Sequence, residues 1–412
     1  MSTPETTAAP TAQRERYQIL DVLRGFALLG VLVANLVELG GQDLMATADQ
    51  LAALPSAAVD RQTNWWLDLL VFDKANTLFA VLFGAGFWIM LERLSARGAA
   101  FERIYLRRIA ILTVLGFVHL LGWFSWDILH VYGLTAFLLF FSRNLSDRAM
   151  FWIALPLLTI ARPLIEWALP HVGFIAAASD AAYSDAAILT RQAAAQSGDF
   201  LAWVSAMNEM NWLDWFFGGV ILAWIAYGLG RFYIGAWVAR KGWIQTAEDK
   251  LQIVQLWTVP ILVTGFCLQY IAMATQENPG ASWTDSAALS LEIIHGLATP
   301  IIAAGYVCVL VLLHFSKRLN WLVRPFAPVG QMALTNYLLQ SPFIILILTG
   351  IGPGLGLVGQ AGSTDYTLYA LCFFGAQMVF SHFWMKAFAY GPAEWAWRAA
   401  TYRTLPNLRR TA

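Results

Sequence analysis

LDVLRGFALLGVLVANLVELG, residues 20 to 40, is a run of membrane-spanning length in which an aspartate, an arginine, an asparagine and a glutamate interrupt aliphatic side chains. A helix of about 20 apolar residues crosses the hydrocarbon of a bilayer and satisfies its own backbone there. Successive helical residues turn by about 100°, so Asp21, Arg24, Leu28 and Asn35 stay within about a quarter-turn of one another. Asp21 and Arg24 lie near one end of the run, Asn35 and Glu38 near the other. One stripe therefore offers polar groups at both mouths of a bundle, where costly ionisable groups must face protein or water. Asp21 with Arg24 fits a structural ion pair as well as contact with an anionic ligand.

The rest of the chain repeats this apolar pattern. Of 412 residues, 58% are hydrophobic and 13% charged, against about 25% charged in a soluble domain. Apolar runs fall at roughly 19–40, 64–91, 105–124, 128–142, 149–170, 212–239, 252–274, 289–313, 327–348 and 365–389. The expected fold is all-α, a polytopic transmembrane bundle of about ten helices. The first run lacks a small-residue cleavage site, so it is expected to stay as a helix. The expected organisation is a disordered cytoplasmic segment 1–18, a bundle over 19–390 and a cytoplasmic tail 391–412. The outer loop 171–211 is too long for a simple connector; a surface helix around Ala186 to Met210 would act either as a lid or as interfacial packing.

Lys and Arg are retained on the cytoplasmic side during insertion. With the N-terminus inside, the inner segments hold twenty Lys and Arg residues and the outer loops two, Arg61 and Arg191. Both ends are thus expected in the cytoplasm, in a multi-pass protein of the bacterial inner membrane. Net charge is zero, and nothing suggests nucleic acid. Cys267, Cys308 and Cys372 lack metal-ligand spacing and are expected to be small buried hydrophobes, with no metal. Trp65, Trp66, Trp123, Trp126, Trp212, Trp243, Trp395 and Trp397 sit at predicted helix ends, where indoles anchor a helix at the interface. LFGAGF (Leu82 to Phe87) suits close helix approach, and GIGPGLGLVG (Gly350 to Gly359) is an outer turn without the Lys-Ser/Thr of a phosphate loop.

Chemistry is sought among the buried polar groups. Asp68, Asp73 and Lys74 fall in the outer half of the second run. His119 ends the third, and Asp127 and His130 flank the turn into the fourth. A histidine beside a carboxylate in a partly dry site serves as a general base, and Glu292 with His295 forms a second such pair. At the inner boundary stand Arg24, Arg107, Arg108, Arg231, Arg324 and Arg398. Much of this is the ordinary positive-inside signal; the remainder suits a phosphate-binding mouth.

LDVLRGFALLGVLVAN (Leu20 to Asn35), FDKANTLFAVLFGAGF (Phe72 to Phe87), YLRRIAILTVLGFVHLLGWFSWDILHVYGL (Tyr105 to Leu134), RPFAPVGQMALTNYLLQS (Arg324 to Ser341) and GPAEWAWRAATY (Gly391 to Tyr402) resemble the YeiB-type bacterial membrane proteins, domain of unknown function 418. The first helix is also distantly similar to the opening helix of transmembrane acyltransferases such as heparan-glucosaminide N-acetyltransferase, which pass an acyl group from cytoplasmic acyl-CoA to an acceptor across the membrane. That similarity implies that Asp21 and Arg24 match the inner end of the signature, Asn35 its active-site asparagine and Asp68 an acidic residue of the second helix. Those enzymes carry their catalytic histidine in the loop after the first helix. Residues 41–63 contain none, so His119 would take that role.

The resulting expectation is an acyltransferase with catalytic His119, Asp127, Asn35 and Asp68. Arg24, Arg107, Arg108, Arg231 and Arg324 would hold acyl-CoA as donor. Asp21, Glu38, Asp73, Lys74, His130, Glu292 and His295 would complete the polar interior. The alternative is a permease or exporter of a small solute using the same interior. Expected partners are the lipid bilayer and a small-molecule or sugar acceptor, with a homodimer left open.

Overall fold

The computed structural model describes residues 17–41, 44–96, 98, 101–273 and 286–410. Residues 1–16 of the expected N-terminal segment and 411–412 of the tail lie outside the described residues. The described chain is helical, with one isolated bridge between Phe388 and Arg409. Its main helices are α1 (Gln18–Gly40), α2 (Ala57–Leu70), α3 (Lys74–Ala96), α4 (Phe101–Gly122), α5 (Leu129–Phe141), α6 (Asp147–Thr159), α7 (Ala161–Ala168) and α8 (Gly173–Tyr183). They continue with α9 (Asp185–Gln196), α10 (Phe200–Met210), α11 (Val220–Arg240), α12 (Leu251–Met273), α13 (Ser286–Phe315), α14 (Ala333–Leu348), α15 (Ser363–Ala387) and α16 (Pro392–Tyr402). Among the described residues, seven helical segments are long and apolar enough to cross a membrane, or eight if the bent pair α6–α7 counts as one. Helices α5 and α14 are shorter apolar helices.

The most apolar stretch of α1 is 78% buried and that of α12 only 11%, which puts α1 at the centre of the bundle and α12 at its rim. Glycines allow the central contacts. A Cβ on Gly25 would overlap the Phe326 carbonyl, and one on Gly330 the Asp21 carbonyl, so α1 packs backbone to backbone on the segment Phe326–Gln331. In LFGAGF, a Cβ on Gly84 would overlap the Phe232 carbonyl of α11, while one on Gly86 meets nothing closer than Arg24 Nη2 at 3.6 Å. Only the first of these glycines is required for helix approach.

Four expected single runs are broken: that at 212–239 at Gly218 and Gly219, that at 327–348 at Met332, and two more sharply. The run at 64–91 starts earlier, at Ala57, and turns at Asp73, which takes a left-handed backbone (φ 61°). Aspartate tolerates that region better than most residues, and its carboxylate is held there by Arg162 Nη1 at 2.9 Å. The run at 149–170 bends by 46° between α6 and α7. Pro163 lacks the N–H that would bond the Thr159 carbonyl, and its ring clashes there.

The long segment 171–211 forms three helices, α8 to α10, whose inner faces pack on the core. Trp203, Met207 and Met210 are buried in the same cluster as α1 side chains, and buried Arg191 donates to the Leu44 and Ala182 carbonyls, both at 2.7 Å. The residues 350–359 form an irregular turn with Gly352, Gly356 and Gly359 at positive φ.

The cysteine expectation is corrected: Cys267 and Cys372 are exposed and Cys308 half-buried, on helix faces where an apolar residue meets lipid as readily as core. So is part of the tryptophan expectation. Trp123, Trp126 and Trp397 turn inward to donate hydrogen bonds to Ser341, Glu38 and the Arg108 carbonyl, whereas Trp66, Trp212 and Trp243 are exposed.

Candidate functional site

Helices α4 and α5 cross tightly because Gly116 faces the His130 backbone and Gly133 faces Thr113, contacts that any Cβ would block. The short turn between them brings Asp127 to His119, with Nδ1 and Oδ1 2.8 Å apart. Asp127 accepts from four donors. His119 Nδ1 and the Tyr337 hydroxyl (3.3 Å) reach Oδ1; the His130 backbone N–H and His130 Nδ1, both at 3.0 Å, reach Oδ2. An ionised carboxylate only accepts and offers about four lone-pair positions, so both imidazoles carry their proton on Nδ1. His119 Nε2 is then an acceptor; the Ser341 hydroxyl lies 2.8 Å from it and 3.1 Å from the Leu338 carbonyl, the two acceptors within reach of its single proton. The Trp123 indole also donates to Ser341 Oγ, at 3.2 Å. His130 Nε2 has no partner among the described residues. Ser341, His119, Asp127 and His130 are all buried.

Two cavities approach this network. The larger, about 290 Å³, opens at the arginine-rich end, where Arg24, Arg93, Arg108 and Arg398 line it. Its shaft is walled by Phe79, Phe83, Leu112 and Leu129 and ends at Tyr337. The smaller, about 20 Å³, is lined by Asn35, Trp126 and Asp127, and has room for about one water. Both are walled by Val31, Asn76, Ile128 and Tyr337.

The tail is a wall of the larger cavity. From α16, Glu394, Trp397, Arg398 and Tyr402 line it. Glu394 accepts the Leu334 N–H at 2.6 Å, the Thr335 N–H at 3.2 Å and the Thr335 hydroxyl at 2.6 Å, which places its carboxylate on the open N–H groups that begin α14. Burial pushes that carboxyl's pKa up, against the lowering effect of those hydrogen bonds. Arg108 stacks on the Trp397 ring at 3.7 Å.

The sequence candidates divide among three places. Asn35, Asp127 and, behind Asp127, His119 and His130 meet at the smaller cavity; Asp21, Arg24 and Arg108 line the larger one, with Arg24 Nη1 3.1 Å from Asp21 Oδ1. Arg107 instead donates to the Thr401 carbonyl at 2.8 Å. Arg324 is exposed and lines neither cavity. Arg231 is buried under the Tyr227 ring and donates to Thr77 Oγ1 at 2.8 Å.

A second polar network collects the rest. Asp73 bonds Arg162 at 2.9 Å and His295 at 3.1 Å, and Arg162 bonds Glu166 at 2.9 Å. Lys74 Nζ donates to the Asp68 carbonyl at 2.5 Å. The Asp68 side chain is within electrostatic reach of Lys74 and His295, and that of Glu292 within reach of His295 and Arg162. Asp68 therefore sits away from His119. Glu38 accepts from Trp126 Nε1 at 2.9 Å and is within electrostatic reach of Asp73 and Arg162.

Ser341, Tyr337, Arg93 and Glu394 were not singled out from sequence. In the largely apolar α14, the repeated spacing of Asn336, Tyr337, Gln340 and Ser341 is what marks one polar face.

The family described as protein of unknown function DUF418 matches residues 238–404, which include Tyr337, Ser341 and all of α16. The chain is 30% identical to the uncharacterized protein YxaH of Bacillus subtilis (strain 168), over 95% of this chain and 96% of the relative. It is also 30% identical to the uncharacterized protein YeiB of Escherichia coli (strain K12), over 97% of this chain and 100% of the relative. An uncharacterized 39.9 kDa protein from the amylase 3' region of Bacillus acidopullulyticus is 26% identical, over 97% and 98% respectively. No solved structure matches.

Proposed function

The chain belongs to the YeiB-type DUF418 family, and from that premise we propose that it is a membrane-embedded acyltransferase, moving an acyl group from cytoplasmic acyl-CoA to a small-molecule or sugar acceptor arriving from the outer side. In this reading ten helices cross the bacterial inner membrane with both ends in the cytoplasm: the seven long segments, the bent α6–α7 pair, α5 and α14. One observation carries the proposal. A cavity that begins at four arginines and a cavity that ends at Asn35 and Asp127 share four wall residues.

The donor supplies an acyl thioester. Arg24, Arg93, Arg108 and Arg398 hold its phosphates with forked, permanently charged donors. The apolar shaft receives its arm and excludes water, which strengthens every polar contact at the far end. Asn35 presents an amide in the smaller cavity, suited to orienting the acceptor or to stabilising the developing oxyanion. His119, aligned by Asp127, takes up the proton released in the transfer.

Purified protein in lipid nanodiscs, given radiolabelled acetyl-CoA and candidate acceptor sugars, tests this directly. His119→Ala is expected to abolish transfer while the protein remains folded, and undiminished transfer would rule the assignment out. Arg24→Gln is expected to raise the donor KM about tenfold, in line with loss of a charge-assisted contact of about 1.4 kcal/mol.

A transport reading has its own support in the Asp73, Arg162, Glu166 and His295 network, because paired charges at membrane depth commonly mark ion or solute paths. It expects solute flux in proteoliposomes without any acyl donor. No flux across a panel of small solutes counts against it.

A further inference from the structure

The proposed reaction needs a base, and the ring nitrogen of His119 that Asp127 leaves available meets a hydroxyl, while neither His119 nor Ser341 lines a cavity. Nδ1 is committed to Asp127 at 2.8 Å, and Nε2 lies 2.8 Å from Ser341 Oγ. A carboxylate, an imidazole and a serine hydroxyl in series, each link within hydrogen-bond range, are the geometry of an activated nucleophile, recognised by arrangement and not by chain position. The three residues come from α4, the following turn and α14, with 222 positions between the histidine and the serine. We propose that Ser341 is the acyl-accepting nucleophile of this protein, so that transfer proceeds through an acyl-serine.

The atoms balance. Ser341 Oγ bonds to the thioester carbonyl carbon and its proton passes to His119 Nε2. The carbon–sulfur bond breaks, and His119 returns the proton to the departing thiolate. An acceptor hydroxyl or amine then attacks the serine ester, giving its proton to His119, and that proton restores Ser341 Oγ as the ester bond breaks. Asp127 keeps its charge throughout and acts as a positioning residue for His119. The Trp123 indole N–H donates to Ser341 Oγ itself at 3.2 Å; in the proposed step it turns to the carbonyl oxygen that becomes negative in each tetrahedral species.

Access follows from α14. Tyr337 lies one turn before Ser341, lines both cavities, and packs against His119 with ring centroids 5.8 Å apart. Ser341 itself lines neither cavity, so in the proposed reaction Tyr337 turns aside to admit the acyl carbon, giving up its hydroxyl contacts with Asp127 at 3.3 Å and the Ile128 N–H at 3.2 Å. In the closed arrangement the ester-forming hydroxyl is shielded from water, which protects an acyl-serine from hydrolysis.

The inference rests on the acyltransferase reading for its natural donor, but the reactivity of the serine is tested without that donor. Protein in nanodiscs is treated with an alkyl fluorophosphonate, and adducts are located by peptide mass spectrometry. The expected result is one adduct on Ser341, absent in Ser341→Ala and slowed about a hundredfold in His119→Gln, the scale of a general-base contribution. Ser341→Cys covers the case in which the alanine variant does not fold: it should lose the fluorophosphonate adduct and gain an iodoacetamide adduct at residue 341 that His119→Gln slows. Absence of any Ser341 adduct overturns the proposal, as does acetyl-CoA-dependent transfer that persists unchanged in Ser341→Ala. A His119-dependent Ser341 adduct in protein that transfers nothing from acetyl-CoA supports the nucleophile and sinks the acyl-CoA reading.

Discussion

Asp127 orders two histidines and a tyrosine with two oxygen atoms. Replacing it by asparagine keeps the shape but turns one acceptor oxygen into a donor NH2 among groups that all donate. Asp127→Asn is expected to cost about 3 kcal/mol, the scale for breaking a buried charged network, and to abolish transfer; thermal unfolding in detergent measures the first. An unchanged melting temperature would mean that the four contacts carry no net stability. The His119–Asp127 pair was legible in the sequence because eight residues and one short turn separate them. Ser341 was not, because a serine on a polar stripe of a membrane helix has the same local pattern whether it packs or reacts. Arg93 was hidden for a different reason: at the basic end every arginine adds to the same orientation signal, and only the cavity separates Arg93 and Arg108 from Arg107 and Arg324.

Between elements, backbone contact decides which small residues matter. Gly84 and Gly86 are two residues apart in one motif, yet only Gly84 abuts another backbone. Gly84→Ala is expected to lose about 1–3 kcal/mol through overpacking of α3 on α11. Gly86→Ala should keep the fold while narrowing the cavity beside Arg24. Comparing melting temperatures and folded yield of the two variants checks this, and equal losses would contradict the assigned contact. Helix positions were legible from apolar run length, since each run became helical. The breaks at Asp73 and Ile160 were less so: the first depends on Arg162 and His295 arriving from other helices, while Pro163 was a visible local cause of the second.

For the molecule as a whole, the proposed orientation puts the arginine mouth of the larger cavity in the cytoplasm, where acyl-CoA is found. A fluorescent-protein fusion at the C-terminus should fluoresce and an alkaline phosphatase fusion there should be inactive; the reverse pattern would put the mouth on the wrong side for this donor. The all-helical, membrane-embedded character and the placement of the apolar runs were determined by the sequence alone, because spanning length and basic flanks act locally along the chain. Two things were decided only by tertiary structure. The segment after residue 390 resembles a tail in sequence, yet it closes the cavity with Glu394, Trp397 and Arg398, since the N–H groups that hold Glu394 exist only once α14 begins beside it. The Ser341–His119–Asp127 series likewise exists only when α4 and α14 pack together. Hydrogen bonds act over about 3 Å, and no spacing along one strand of sequence reports a distance between two helices.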